Sequence, residues 1–265
     1  MNFSLITGAT GGLGKEFVKR LAERNENLFL TGRSEEKLIL LKEEIIAKNK
    51  NITVDYFKCD MVSQTNRNEL FNYVKNKNYK ITGLYLVAGA DTRKAFTKFS
   101  QETITFLARV NYESALSFTK FALENKGEEL KILVVSSLTG ITPMPYFSEY
   151  ASLKGALISF FAALRYELKN DNVKITLLTP GSIPTRNDIK EDISRQGLQG
   201  KLSSKPPKYV VDKALKALDK NKKVCVPGFY NKMVKFFSKI TPTSLKMKIV
   251  AKKLKNLEKD AFSSK

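Results

Sequence analysis

Tyr150 and Lys154 stand four residues apart in SEYASLKGA, residues 148–156. In a helix that spacing is about one turn, so both side chains share a face. A free phenol, with a pKa of about 10, is a sluggish base near neutrality, and a cation one turn away favours its tyrosinate form. Such a pair can pass a proton to or from an alcohol or carbonyl oxygen. Spacing does not single it out, because Tyr73/Lys77 and Tyr209/Lys213 repeat the pattern.

A second constellation is TGATGGLGKEF, residues 7–17. It reads as Gly8-x-x-x-Gly12-x-Gly14 and equally as Gly8-x-x-Gly11-x-x-Gly14. A glycine turn between a strand and a helix brings backbone N–H groups and a positive helix end against a pyrophosphate. The next apolar run ends in TGRSEEKL, where Gly32 offers no carboxylate to an adenosine ribose. Arg33 and Ser34 can hold a 2′-phosphate instead, Arg33 through a forked, charge-assisted contact. Ser34 is also placed to cap the following helix. NADP(H) is the expected cofactor.

The chain of 265 residues contains no histidine and two cysteines, Cys59 and Cys225. Histidine-based triads are excluded, zinc chemistry is disfavoured, and a disulfide framework is not expected. Acid–base work falls to tyrosine, lysine or a carboxylate. The opening MNFSLITGATGG lacks a basic stretch and a long apolar run, and no apolar run reaches the length of a spanning helix, so a cytoplasmic location is expected. The net charge of +20 is uneven: from Lys201 onward eighteen lysines face four acids. A polyphosphate cofactor, anionic lipid and nucleic acid are the partners such charge admits, although no nucleic-acid recognition motif accompanies it.

The elements that must position these residues are β-rich runs alternating with helical patterns. FSLIT, NLFLT, ITVDYF, GLYLV, KILVVSS, KITLLT and KVCV read as seven strands. Helical patterns lie near 13–24, 34–48, 64–77, 101–126, 150–169 and 206–221. The alternation predicts an α/β fold, a Rossmann-like doubly wound parallel sheet with helices on both faces. Ligands in such sheets bind beyond the carboxyl ends of the strands. The composition shifts near VPGFYNK, 226–232, dividing a domain over 1–228 from a basic extension over 229–265. In the extension, Met247, Val250, Leu254, Leu257 and Ala261 recur at helical steps, predicting a helical hairpin.

With these motifs in order, the sequence resembles the short-chain dehydrogenase/reductase family over roughly residues 1–228. TGATGGLG resembles the family's cofactor turn, implying contacts from Gly8, Thr10, Gly12, Leu13 and Gly14. CDMVS matches a segment after the third strand, implying that Asp60 meets the adenine end, and VAGA implies close approach of Gly89 to the cofactor. VNYES places Asn111 in the central helix, and VVSSLTG puts Ser137 thirteen residues before Tyr150. TPGSIPT resembles the segment over the nicotinamide, implying contacts from Pro180, Gly181, Ile183 and Thr185. Neither competing Tyr/Lys pair follows such a serine, so Tyr150/Lys154 is the functional pair. One departure is that Leu86 and Val87 stand where many members have asparagines, so that turn is expected to lose side-chain hydrogen bonds.

The resemblance implies a carbonyl or alcohol oxidoreductase. Tyr150 is then the acid or base, and Lys154 holds the nicotinamide ribose. Ser137 orients the substrate oxygen, and Asn111 carries a water linking Lys154 to solvent. The loop 186–205 is expected to form a substrate lid, and the helix after Tyr150 the interface of a homodimer or homotetramer. Two alternatives stay open. One is a sugar-nucleotide epimerase or dehydratase, which the second glycine spacing permits but whose branch normally carries a larger carboxyl-terminal domain. The other is a non-catalytic dinucleotide sensor or a scaffold held to membrane by its basic tail. The extension itself is expected either to touch anionic membrane peripherally or to pack its apolar stripe on the domain and cover the cleft.

Overall fold

A computed structural model describes residues 1–255. Leu257 and Ala261, the end of the predicted stripe, lie outside the described residues. Seven strands form one parallel sheet: β1 (Asn2–Thr7), β2 (Leu28–Gly32), β3 (Val54–Lys58), β4 (Lys80–Leu86), β5 (Lys126–Val135), β6 (Val173–Leu178) and β7 (Val224–Cys225). Their spatial order is β3-β2-β1-β4-β5-β6-β7, with every neighbouring pair parallel. The chain order reverses between β1 and β4, and a crevice at such a reversal is where doubly wound sheets bind ligands.

Continuous apolar runs become strands here because both faces of the sheet are covered. In β1, Phe3 and Leu5 face one layer and Ile6 the other, as the two-residue period of a strand requires. Helices α1 (Gly12–Ala22), α2 (Glu35–Lys48) and α9 (Pro207–Asp219) cover the Ile6 face through Phe17, Leu38 and Val211. Helices α3 (Gln64–Asn76), α5 (Ser114–Glu124) and α6 (Ser148–Glu167) cover the opposite face through Leu70, Phe118 and Phe161. Ser34 starts α2 by accepting a hydrogen bond from the Lys37 N–H at 3.3 Å, and Ser63 starts α3 in the same way.

Three boundaries differ from the sequence reading. The helix expected over 101–126 is α4 (Gln101–Ala108), a π-helical turn (Arg109–Glu113) and α5 in succession. Strand β5 starts at Lys126, five residues before its apolar stretch, because Lys126 pairs with Ile81 across a bulge in β4. The polar run GEEL in between carries no strand periodicity, so local pattern could not reveal it. Finally, the segment expected as a loop over 186–205 forms α7 (Asn187–Arg195) and α8 (Gly197–Ser203), and α10 (Phe229–Ile240) and α11 (Thr243–Leu254) end the described chain.

Candidate active site

The glycine turn joins β1 to α1 at the switch in strand order. Gly8 adopts φ +65°, a left-handed conformation that side chains rarely tolerate. Thr185 stands so close over Gly12 that a Cβ there would strike it, which sets the segment after β6 against the start of α1. Leu13 packs on the core beneath, and Ile183 packs on the same cluster. Thr10 lies beside Gly32 at the end of β2. The next residue, Arg33, is exposed, and among the described residues no ion pair engages it. Asp60 is exposed after β3; its Oδ1 accepts the Val62 N–H at 3.1 Å. The donor set suits an anionic dinucleotide: a bare backbone turn at a helix start, with a free guanidinium at the neighbouring strand end.

The turn after β4 corrects one expectation. Leu86 and Val87 bring no side-chain donors, but the buried Thr7 hydroxyl accepts from both the Val87 N–H at 3.0 Å and the Ala88 N–H at 3.2 Å. Order in this turn is therefore restored from the neighbouring strand. The turn delivers Gly89 to a point where a Cβ would lie 2.9 Å from Asn111 Oδ1 and 3.3 Å from Lys154 Nζ. Glycine is the residue that fits, and three predicted site residues converge here.

Asn111 sits in the π-helical turn, whose wider winding aims a side chain that an unbroken helix would place elsewhere. Its amide donates to Ala90 O at 2.8 Å and Leu107 O at 3.1 Å, and its Oδ1 accepts the Ala90 N–H at 3.3 Å. One donor and Oδ1 thus hold the 88–90 turn through Ala90, the other donor returns to Leu107 of α4, and Oδ1 keeps one lone pair. Lys154, only 3 % exposed, donates to Val135 O at 3.0 Å and lies 5.5 Å from the centre of the Tyr150 ring. Burial lowers its ammonium from 10.5 to about 8, with the Asp91 carboxylate opposing that fall. Ser137 lies two residues beyond β5, accepts the Thr139 N–H at 3.2 Å, and its hydroxyl is close enough to the Tyr150 phenol to favour the ionised form.

The Tyr150 phenol does not behave as the sequence alone suggests. Burial, reinforced by Asp91, pushes it well above its ordinary 10, and only the Ser137 hydroxyl opposes this. Lys154 is turned toward the Val135 carbonyl, so desolvation outweighs the expected help from its charge. In this state the site holds a protonated tyrosine, the form that donates. Of the competing pairs, Tyr73 donates to Asp55 Oδ2 at 3.0 Å, and Tyr209 is exposed with Lys213 over its ring.

The sequence reading missed several neighbours. Phe147 stacks on Tyr150, with centroids 4.7 Å apart and planes 15° apart. The Arg93 guanidinium lies 5.9 Å from the Phe147 ring centre and grips Asp192 of α7 at 2.5 and 3.2 Å. Arg186 pairs with Asp188 at 3.0 Å and approaches Asp91 at 3.8 Å. Tyr146, just before α6, takes φ +62°, the one non-asparagine among the described left-handed non-glycine residues. That conformation costs of order 1–2 kcal/mol and sits two residues before the helix bearing Tyr150. Asp91 follows VAGA directly and was open to notice; the Arg93–Asp192 pair spans 99 residues and has no local signal. Gly181 follows Pro180 and lies against Ser203 and Asn231.

Comparison with known proteins agrees with this geometry. The family described as short chain dehydrogenase matches residues 2–195. The 3-ketodihydrosphingosine reductase TSC10 of Saccharomyces cerevisiae is 27% identical over 242 residues, spanning 81% of this chain and 75% of that protein. Among solved structures, a 7beta-hydroxysteroid dehydrogenase superposes with a TM-score of 0.80 at 22% identity, covering 94% of this chain and 96% of the other. A short-chain dehydrogenase from Sphingobium yanoikuyae, solved with NADPH, gives 0.73 at 21% identity, covering 86% and 89%. A buried lysine under a serine-bound tyrosine, beside a glycine turn at the switch point of a parallel sheet, thus coincides with a match across most of the chain: the protein belongs to the short-chain dehydrogenase family of oxidoreductases acting on C=O and CH–OH groups.

Proposed function

We propose that this protein is an NADP(H)-dependent oxidoreductase that moves hydride between the nicotinamide and a carbonyl or alcohol carbon. The observation that carries the reading is the convergence of Ser137, Tyr150 and Lys154 beside Gly89 and Asn111. When bound, the cofactor supplies the hydride. Ser137 positions the substrate oxygen against the Tyr150 hydroxyl, and Tyr150 gives that oxygen its proton as the carbonyl is reduced. Lys154 would hold the ribose hydroxyls, and its ammonium form, the proton of which burial loosens to about 8, is the source from which Tyr150 is reprotonated. Asn111 fixes the turn that carries Gly89, and its remaining lone pair holds a water on the path to solvent.

Preference for NADP(H) over NAD(H) is supported by the exposed Arg33 after Gly32 and by the absence of an acidic residue at either position. The cofactor-facing set comprises Gly8, Thr10, Gly12, Leu13, Gly14, Arg33, Ser34, Asp60, Gly89, Pro180, Gly181, Ile183 and Thr185. The relative that reduces 3-ketodihydrosphingosine supports a ketone as the reacting group. Purified protein mixed with NADPH and panels of aldehydes, ketones and oxoacyl compounds tests the reading, with Tyr150→Phe as control. Consumption with no member of the panels, or equal consumption by the control, would refute it. Assembly through α6, whose Phe160 and Leu164 stay partly exposed, is read by light scattering.

A further inference from the structure

Helix α10 is amphipathic in the wrong sense for a helix packed on a domain. At about 100° per residue, Phe229, Met233, Phe236, Phe237 and Ile240 share one face. That face points outward: Phe229 is 78 %, Phe236 59 % and Ile240 63 % exposed. The opposite face, carrying the fully buried Asn231, is the one that meets the protein. Asn231 donates to Pro227 O at 2.7 Å and to Ser203 O at 3.0 Å, so α10 is fixed to the end of α8 with its apolar side turned away. The α10 part of the extension's apolar stripe is therefore not packed on the domain, whereas Leu254 at the end of α11 is buried.

Exposed apolar side chains also lie on the two helices joined to α10, α8 through Asn231 and Ser203 O and α11 through Lys246 and Ser238 O at 2.7 Å. Leu198 and Leu202 on α8 are exposed at 73 % and 43 %, and Leu245 and Ile249 on α11 are exposed as well. Lys232 and Lys239 flank the α10 stripe, and Lys248, Lys252 and Lys253 border that of α11. Eighteen lysines face four acids from Lys201 onward. A second copy of this chain would bring two such positive faces together, whereas anionic headgroups oppose the charge and acyl chains accept the rings.

We infer that the exposed apolar side chains of α8, α10 and α11 dock in the surface of an anionic bilayer. Docking would bring the cleft near the membrane, because Asn231 of α10 and Ser203 of α8 lie against Gly181 of the segment after β6, whose Thr185 stands over the glycine turn. The substrate class this selects is a lipid carbonyl compound that enters the cleft from the bilayer. This last step rests on the oxidoreductase reading; the docking itself does not.

The chain has no tryptophan, so Phe236→Trp gives a single reporter. Its emission is measured with phosphatidylcholine vesicles, with and without phosphatidylserine, at low and high salt, alongside flotation of the unaltered chain. The expected result is a blue shift and flotation with the anionic vesicles, reversed by salt. Phe236→Ser/Phe237→Ser and Lys232→Glu/Lys239→Glu are each expected to weaken partitioning at least about tenfold while NADPH affinity stays unchanged. No shift and no flotation on anionic vesicles at low salt overturns the proposal. So does full binding by the serine variant, which would show adsorption by lysines alone. A doubled mass without vesicles that the serine variant loses would assign the face to a second copy. For the substrate class, a long-chain ketone in anionic vesicles should turn over faster than in neutral ones, with a water-soluble ketone indifferent to vesicles. Equal rates on both vesicles overturn that class. If neither ketone reacts while the tryptophan shifts, the docking stands and the oxidoreductase reading falls.

Discussion

Lys154→Met should make the fold less sensitive to pH, and in a direction that identifies why the lysine is there. The amine is held out of water, with Val135 O at 3.0 Å as its protein acceptor, and it titrates near 8 rather than 10.5. At 1.36 kcal/mol per pH unit, that difference corresponds to about 3 kcal/mol. Between these two values the unfolded chain carries the proton and the folded chain does not, so stability rises with pH across this window. The penalty is complete below about 8 and relieved above 10.5. Methionine removes it but leaves the Val135 carbonyl without its donor, a loss of about 1–3 kcal/mol that does not depend on pH. Urea unfolding of both chains from neutral pH upward isolates the term, since every other lysine titrates in both. Wild type should gain up to about 3 kcal/mol relative to the variant as pH rises through the window. A stability difference that stays constant over that range would refute burial as the cause of the low pKa. Turnover by the variant should be lost, showing a residue kept for chemistry at a cost in stability.

Tyr150→Phe should lower kcat by about 10²–10⁴ with NADPH affinity unchanged, measured by fluorescence titration and NADPH consumption. Tyr73→Phe should leave turnover intact and cost about 1 kcal/mol of stability, because Tyr79 still donates to Asp55 at 3.1 Å. Arg33→Ala should reduce the preference for NADPH over NADH at least tenfold, about 1.4 kcal/mol; equal affinities in the wild type would sink that assignment. Arg93→Ala frees α7 from the stack on Tyr150, so KM should rise more than kcat falls, and proteolysis within 187–203 should accelerate. Unchanged KM and cleavage rate would show that the pair with Asp192 does not hold α7 in place.

Much of this protein was decided by residues near one another in the chain. Strand runs apolar on both faces can be satisfied only in a covered sheet, and alternation with helices makes that sheet parallel. TGATGGLG, the Ser137-to-Tyr150 spacing and Arg33 after Gly32 are likewise local patterns with local physical meaning. What distance along the chain conceals was settled by packing. Thr7 supplies from β1 the hydrogen bonds that Leu86 and Val87 lack, and Arg93 meets an aspartate 99 residues away. The π-helical turn that aims Asn111 leaves no mark in a pattern of period 3.6. The proton affinity of Tyr150 was read from one neighbouring cation, yet desolvation, which depends on everything around the ring, sets its direction. The stripe of α10 shows the division most plainly. Its sequence dictates an amphipathic helix, but which face meets the protein was fixed by the bonds of Asn231 to Pro227 O and to Ser203 O at the end of α8, and that choice turned the apolar side outward.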